Sequence, residues 1–236
     1  MKTHQIFLMA FLCLAGITFL SACSKDDPKP NCKIITITPT SGTAYNISYN
    51  TEGKVSTITS GTSTTTYAYS GNTAIGTKTN SGAFASRVIA TYNANGLATN
   101  VRTENNESGT NWDNMAFEYS GTELVKQTFT SSAGGVPSVT TVVWTGGNPT
   151  TITSGSTIST VDYHSNIAAQ TGDYWDISQL IQGYRIIHAK NAIKSLLSGS
   201  TINTFDYTID GEGKITGVTV TGGGTSSGFT YQYQCN

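Results

Sequence analysis

Tyr45-Asn46-Ile47-Ser48-Tyr49-Asn50-Thr51-Glu52-Gly53-Lys54-Val55 is the stretch that decides the fold. Successive side chains of a strand point to opposite faces, so Tyr45, Ile47 and Tyr49 share one side while Asn46 and Ser48 share the other. Asn50 and Gly53 supply residues that tolerate positive φ, as a tight connection between antiparallel strands requires. Val55 then opens a β-branched run suited to the returning strand. The stretch reads as one β-hairpin with an apolar and a polar face.

The pattern recurs. Phe205-Asp206-Tyr207-Thr208-Ile209 followed by Asp210-Gly211-Glu212-Gly213-Lys214-Ile215 is the clearest second copy. Weaker copies centre on Tyr67/Tyr69, on Tyr92 with Asn93-Ala94-Asn95-Gly96-Leu97, on Phe117/Tyr119, on Val142/Trp144, on Val161/Tyr163 and on Tyr231/Tyr233. Neighbouring anchors lie about 19 to 27 residues apart with one longer gap, and self-similarity at such a period marks an array of like supersecondary units. The expected fold is all-β, a large antiparallel meander of about 14–16 strands; a sheet wider than about ten strands curls, splits or closes, giving a curled single sheet, a sandwich or a barrel-like form. Thr, Ser, Asn and Gly dominate the composition and charged residues are only 11% of it, which suits strands and turns.

The longer gap holds a short helical insertion, about residues 173–198. Trp175, Ile177, Leu180, Ile181 and Tyr184 approximate the i, i+3, i+4 spacing of an amphipathic helix, with Asp176 or Ser178 near its start. Its apolar stripe is expected to bury one open face or end of the sheet, with Asn191, Ile193, Leu196 and Leu197 leading back into strands. As the one interruption of the repeat, it is the first place to look for specific function.

The front of the chain reads differently. A short cationic start is followed by an uncharged apolar run from Ile6 to Leu20 and then by Leu20-Ser21-Ala22-Cys23, the order of a secretory signal. The run is shorter than the roughly 20 apolar residues a spanning helix needs. Leu20-Ser21-Ala22-Cys23 resembles the processing site of bacterial lipoproteins, which implies a signal peptide over residues 1–22 and lipidation of Cys23; an ordinary cleaved signal is the alternative. Several acyl chains, at about 0.8 kcal/mol per buried CH₂, tether a protein durably. Residues 23–31, with Pro28 and Pro30, form a polar tether, and 32–236 form the repeat domain. Ser24-Lys25-Asp26-Asp27 resembles the signal that sends lipoproteins of Bacteroidota to the cell exterior, so the expected location is the outer membrane, lipid-anchored and surface-exposed, with a periplasm-facing anchor as the alternative.

Of four cysteines, Cys13 leaves with the signal and Cys23 carries lipid, so Cys32 and Cys235 remain. In a compartment where disulfides persist, such a pair is read as a bridge. It would close a loop of about 200 residues, worth somewhere near 4 to 5 kcal/mol in the chain-entropy model. A two-cysteine metal site lacks partners at ligand spacing.

Thirteen basic and fourteen acidic residues give a net charge of −1, and the cations are scattered singly, which excludes nucleic acid as a partner. No phosphate loop, nucleophile elbow or metal-binding His pair is present, so no cofactor is expected. Asp210-Gly211-Glu212-Gly213 lacks the spaced ligands of a calcium loop and reads as a hairpin turn. Asp162, His164, Asp173, Asp176 and His188 flank the insertion. A histidine near carboxylates can serve as a general acid or base, and a hydrolase using His164, Asp173 and His188 is the alternative to a non-enzymatic protein. The exposed aromatics expected to bind a glycan or an envelope protein are Trp112, Trp175, Tyr174 and Tyr184; most other Tyr fall at strand alternation and form the packing ladder of the repeat.

The recurring Tyr-x-Tyr-[Asn/Asp]-x-x-Gly-x-[Val/Leu/Ile] element resembles the tyrosine–aspartate repeats of RHS-type surface proteins. With Cys23 and Cys235, the chain is most similar to uncharacterised Bacteroidota lipoproteins built from such repeats. The resemblance implies an antiparallel scaffold at the cell envelope and no catalytic residues. Asn50, Asn93 and Ser120 stand where the repeat has aspartate.

Overall fold

A computed structural model of the chain describes residues 32–235; Cys23, the signal and the tether lie outside them. The first eight strands are β1 (Cys32–Pro39), β2 (Tyr45–Tyr49), β3 (Val55–Ser60), β4 (Ser63–Ser70), β5 (Thr73–Asn80), β6 (Ala83–Tyr92), β7 (Ala98–Glu104) and β8 (Trp112–Ser120). Then come β9 (Glu123–Ser131), β10 (Ser138–Thr145), β11 (Asn148–Ser154) and β12 (Thr157–Ala168), the helix α1 (Tyr174–Gln182), and β13 (Asn191–Ser198), β14 (Thr201–Ile209), β15 (Ile215–Gly222) and β16 (Thr225–Cys235).

Each strand pairs with its neighbours in sequence, and β1 pairs antiparallel with β16, so the sixteen strands close into a barrel. Closure removes every sheet edge. The expectation of a wide meander is met at its upper count, and of the three ways such a sheet can resolve, the chain takes full closure. Across the seam Ile34 faces Tyr233 and Ile37 faces Tyr231, while Cys32 faces Cys235 and is joined to it by a disulfide. Because strands alternate in direction, the odd-numbered ones start at the end that holds Cys32 and Cys235. We call this the terminal end and its opposite the far end.

The repeat becomes a ring. At the terminal end of the eight even-numbered strands stand Tyr49, Tyr69, Tyr92, Tyr119, Trp144, Tyr163, Tyr207 and Tyr233. Tyr49, Tyr69, Tyr119, Tyr163 and Tyr233 donate their hydroxyls to the carbonyls of Ile34, Val55, Ala98, Pro149 and Ile215, all near the start of the preceding odd strand. Trp144 does the same through Nε1 to Leu124 at 2.7 Å. Two residues earlier on each strand, Ile47, Ala90, Phe117, Val142, Val161, Phe205 and Tyr231 are buried, with Tyr67 in the eighth place half-buried. Three terminal-end turns are closed alike. The Oδ1 atoms of Asn50, Asn93 and Asp210 each accept backbone N–H groups two and four residues on. Asp210-Gly211-Glu212-Gly213 is thus a hairpin turn.

The helix enters the lumen. Its N-cap is Asp173, whose carboxylate accepts from Asp176 N at 3.0 Å; the expected starts at Asp176 and Ser178 lie inside the first helical turns. Apolar spacing leaves the cap open among neighbouring polar residues, and it goes to the one whose carboxylate reaches the N3 amide. Gly183, at φ 84°, ends the helix in the left-handed conformation, its N–H on Gln179 O and Leu180 O. Ile177, 1% exposed, packs with Ile34, Ile37, Ile193, Phe205 and Ile215 on one wall. The return segment carries Ile187 and Ala189 against Val101, Phe117, Leu124 and Val142 on the other. The expectation that the stripe covers an open face or end of the sheet gives way to a plug with core on both sides, because a closed ring of sixteen strands is too wide for its own wall side chains to fill and leaves room for the insertion.

The outer face is mostly polar, with exposed apolar side chains at Val139, Val143, Ile158, Leu197 and Ile202 among the outward positions of β10 to β14. Asn46, Ser48, Thr66, Glu118, Thr160, Asp162, Lys194, Asp206, Thr219 and Gln232 alternate with the inward residues and are exposed. Arg87, Arg102 and Glu104 form an outer ion-pair group with N–O distances of 2.8 and 3.2 Å.

Candidate functional site

The barrel interior divides at the plug. Gln179, 6% exposed, stitches the plug to itself. Its Oε1 accepts from Ile186 N at 2.6 Å and Ile187 N at 2.8 Å, and its Nε2 donates to Trp175 O and Ile187 O. Nothing in the sequence spacing marks this residue, because its partners are backbone atoms of an irregular segment. Tyr92 OH donates to Gly183 O, and Ala98 N to Arg185 O, fixing the plug to β6 and β7.

At the terminal end the insertion carves a cavity of about 240 Å³ lined by Asp173, Asp176, Arg185 and His188, among others. Burial pushes the Asp173 carboxyl up to about 6, against the opposing pull of the backbone N–H groups it accepts. Asp176 is also raised by burial, with Arg185 pulling the other way across a 2.6 Å contact. These carboxylates are committed to structure: Asp173 accepts from Gln170 N and Asp176 N, and Asp176 accepts from Gly172 N. His164 does not line this cavity. Its Nε2 lies 3.0 Å from Phe205 O and its ring meets Tyr207 edge-on at 5.6 Å between centroids. Two of the three residues of the hydrolase reading are brought together and the third is not.

The four aromatics expected to bind partners do not form one site. Tyr174 packs on Phe205 with ring centroids 4.6 Å apart, Trp175 lies against both core clusters, and Tyr184 is 6.5 Å from Phe117. Trp112 stands on the outer face, where the Arg102 guanidinium lies 4.7 Å over its ring. Among the described residues no group of His, Cys, Asp and Glu is placed to hold a metal ion.

At the far end the plug leaves a cup of about 370 Å³ between α1 and the wall of β2 to β6. Tyr45, Ile58, Tyr67, Val88 and Ile181 give it apolar surface; Ser60, Ser63, Thr65, Ser86 and Gln182 give it hydrogen-bonding groups; Lys78 is its only charged residue. The sequence carried a signal for it. Lys78 has the strand parity of Ala74 and Gly76, so alternation already places a cation on an inward face.

The fold of the chain has counterparts among solved structures. A porin-like protein from Bacteroides uniformis superposes with a TM-score of 0.63 at 18% identity, covering 85% of this chain and 96% of that one. A porin-like protein from Bacteroides vulgatus gives a TM-score of 0.61 at 12% identity, covering 85% of this chain and 98% of that one. These likenesses concern the fold. No family model matches the sequence, and no curated protein does either.

Proposed function

We propose that the chain is a non-enzymatic, water-facing β-barrel held at the bacterial outer membrane by lipid on Cys23, working by binding a glycan or an envelope protein. The observation that carries this reading is the polarity of the wall. A barrel that crosses a bilayer shows lipid an apolar band about 25 Å tall and keeps a polar lumen, and a lysine or arginine on its lipid face costs about 2–4 kcal/mol at the midplane. Here the sides are exchanged: Glu118, Asp162, Lys194 and Asp206 are exposed outside while Ile37, Ile177, Phe205 and Ile215 are buried within.

Attachment then has to come from outside the barrel. Leu20-Ser21-Ala22-Cys23 provides it, and Ser24-Lys25-Asp26-Asp27 favours the cell exterior. The porin-like neighbours from Bacteroides support an envelope setting, and the tandem hairpins support the likeness to lipoproteins with tyrosine–aspartate repeats. Binding is favoured over hydrolysis because Asp173 is used as a helix cap and His164 lies on Phe205 O, away from the cavity that holds His188.

A protease site placed within residues 24–31 tests the proposal. Cleavage in washed membranes is expected to free the folded barrel into the aqueous phase, with radiolabelled palmitate left behind on the Cys23 fragment. A barrel that stays in the membrane after cleavage, or a chain that takes up no palmitate, would overturn it.

A further inference from the structure

We propose that the far-end cup is a binding site for a small saccharide bearing one carboxylate, such as a uronic acid residue. The inference rests on the binding reading above and names the ligand class for it.

The chemistry of the lining narrows the choice. Sugars present C–H faces that pack on aromatic rings and hydroxyls that need partners. The cup offers Tyr45 and Tyr67 for the first and Ser63, Thr65, Ser86 and Gln182 for the second. Gly76 keeps the cup open. A Cβ at this strand position would come 2.8 Å from Tyr67 Cε1, so glycine lets the Tyr67 ring lie along the wall of β5 instead of across the lumen. The volume of about 370 Å³ falls at the lower end of ligand sites, the range of one or two sugar rings.

Lys78 sets the charge. It faces Thr65 on one side and Ser86 on the other in register, and among the described residues it takes part in none of the ion pairs. An inward ammonium without an acidic partner, flanked by hydroxyls, matches a carboxylate that brings its own neighbouring hydroxyls. A fatty acid would leave the polar groups of Thr65, Ser86 and Gln182 without partners once water is displaced. A phosphate dianion carries more charge than the single ammonium of the cup can match, whereas one carboxylate is balanced by it.

The test is titration calorimetry on the mature chain extracted in mild detergent, with glucuronate, glucose and acetate as probes. Glucuronate is expected to bind about tenfold or more tighter than glucose or acetate, since a charge-assisted hydrogen bond is worth at least that factor. Lys78→Gln should bring glucuronate down to the level of glucose, Lys78→Arg should retain most of the preference, and added salt should weaken glucuronate alone. Equal binding of glucose, acetate binding as tight as glucuronate, no sugar binding at all, or a preference that survives Lys78→Gln would each overturn it. Lys78 is exposed and, among the described residues, in no ion pair, so these variants leave the core intact, and an unchanged urea midpoint verifies that. Failure here with clean release by tether cleavage would remove this site and leave the anchored barrel standing.

Discussion

Tyr231 carries a hydroxyl that is buried without a partner among the described residues, whereas Tyr119 donates to Ala98 O at 2.7 Å. The difference gives opposite expectations for one chemical change. Tyr119→Phe loses a hydrogen bond and leaves a carbonyl bare, costing about 1 kcal/mol; Tyr231→Phe removes a desolvated hydroxyl and is expected to be neutral or stabilising. Urea midpoints of the two variants measure this, and a loss at Tyr231 equal to that at Tyr119 would mean the buried hydroxyl is satisfied. The aromatic positions themselves were legible, since alternation alone puts Tyr119 and Tyr231 on the inner face. Their partners were not, because Ala98 belongs to the preceding hairpin strand, 21 residues away in sequence, and no local pattern encodes that reach. Trp175 and Tyr184 read as surface binders for a related reason: outside the repeat, nothing in the spacing says which side of a wall a residue will occupy.

The element that departs most from its sequence reading is the insertion. Its helix was legible from Trp175, Ile177, Leu180 and Ile181, but a stripe says only that something is buried, and the lumen that receives it exists only after sixteen strands have closed. Asp173 links this plug to pH. Its ordinary carboxyl value near 4 in the unfolded chain rises to about 6 in the fold. Between those values the native state holds a proton that the unfolded chain has released, so stability falls as pH rises from about 4 to about 6 and levels off above. The span is on the order of 2–3 kcal/mol. Asp173→Asn, which keeps an N-cap acceptor, is expected to flatten that part of the profile. Urea midpoints at pH 4.5 and 7.5 for both proteins check it, and an unchanged slope in the variant would show that Asp173 does not carry the dependence.

For the whole molecule, repeat spacing bounded the strands at about 14–16 but left closure open. Ile34 and Tyr233 meet across the seam from opposite ends of the domain, and only the pairing of Cys32 with Cys235 hinted at it. That bridge spans 203 residues, for which the chain-entropy model gives about 5 kcal/mol. The double variant Cys32→Ser/Cys235→Ser is expected to lose most of this in denaturant titration while keeping its strand content by circular dichroism; a loss under about 1 kcal/mol would mean the unfolded chain is constrained by other means.

The seam also imposes an order in time. β1 leaves the ribosome first, yet its partner along one whole side is the last strand to be made. Until β16 arrives, the backbone of β1 has a vacant flank and the growing sheet has a second one on its newest strand, both templates for joining a neighbouring chain. A product stopped after Gly222 would keep those two flanks indefinitely and would expose Val218 and Phe205, which the finished ring hides. A nearly complete chain is therefore expected to be the most adhesive species on the way to the finished ring.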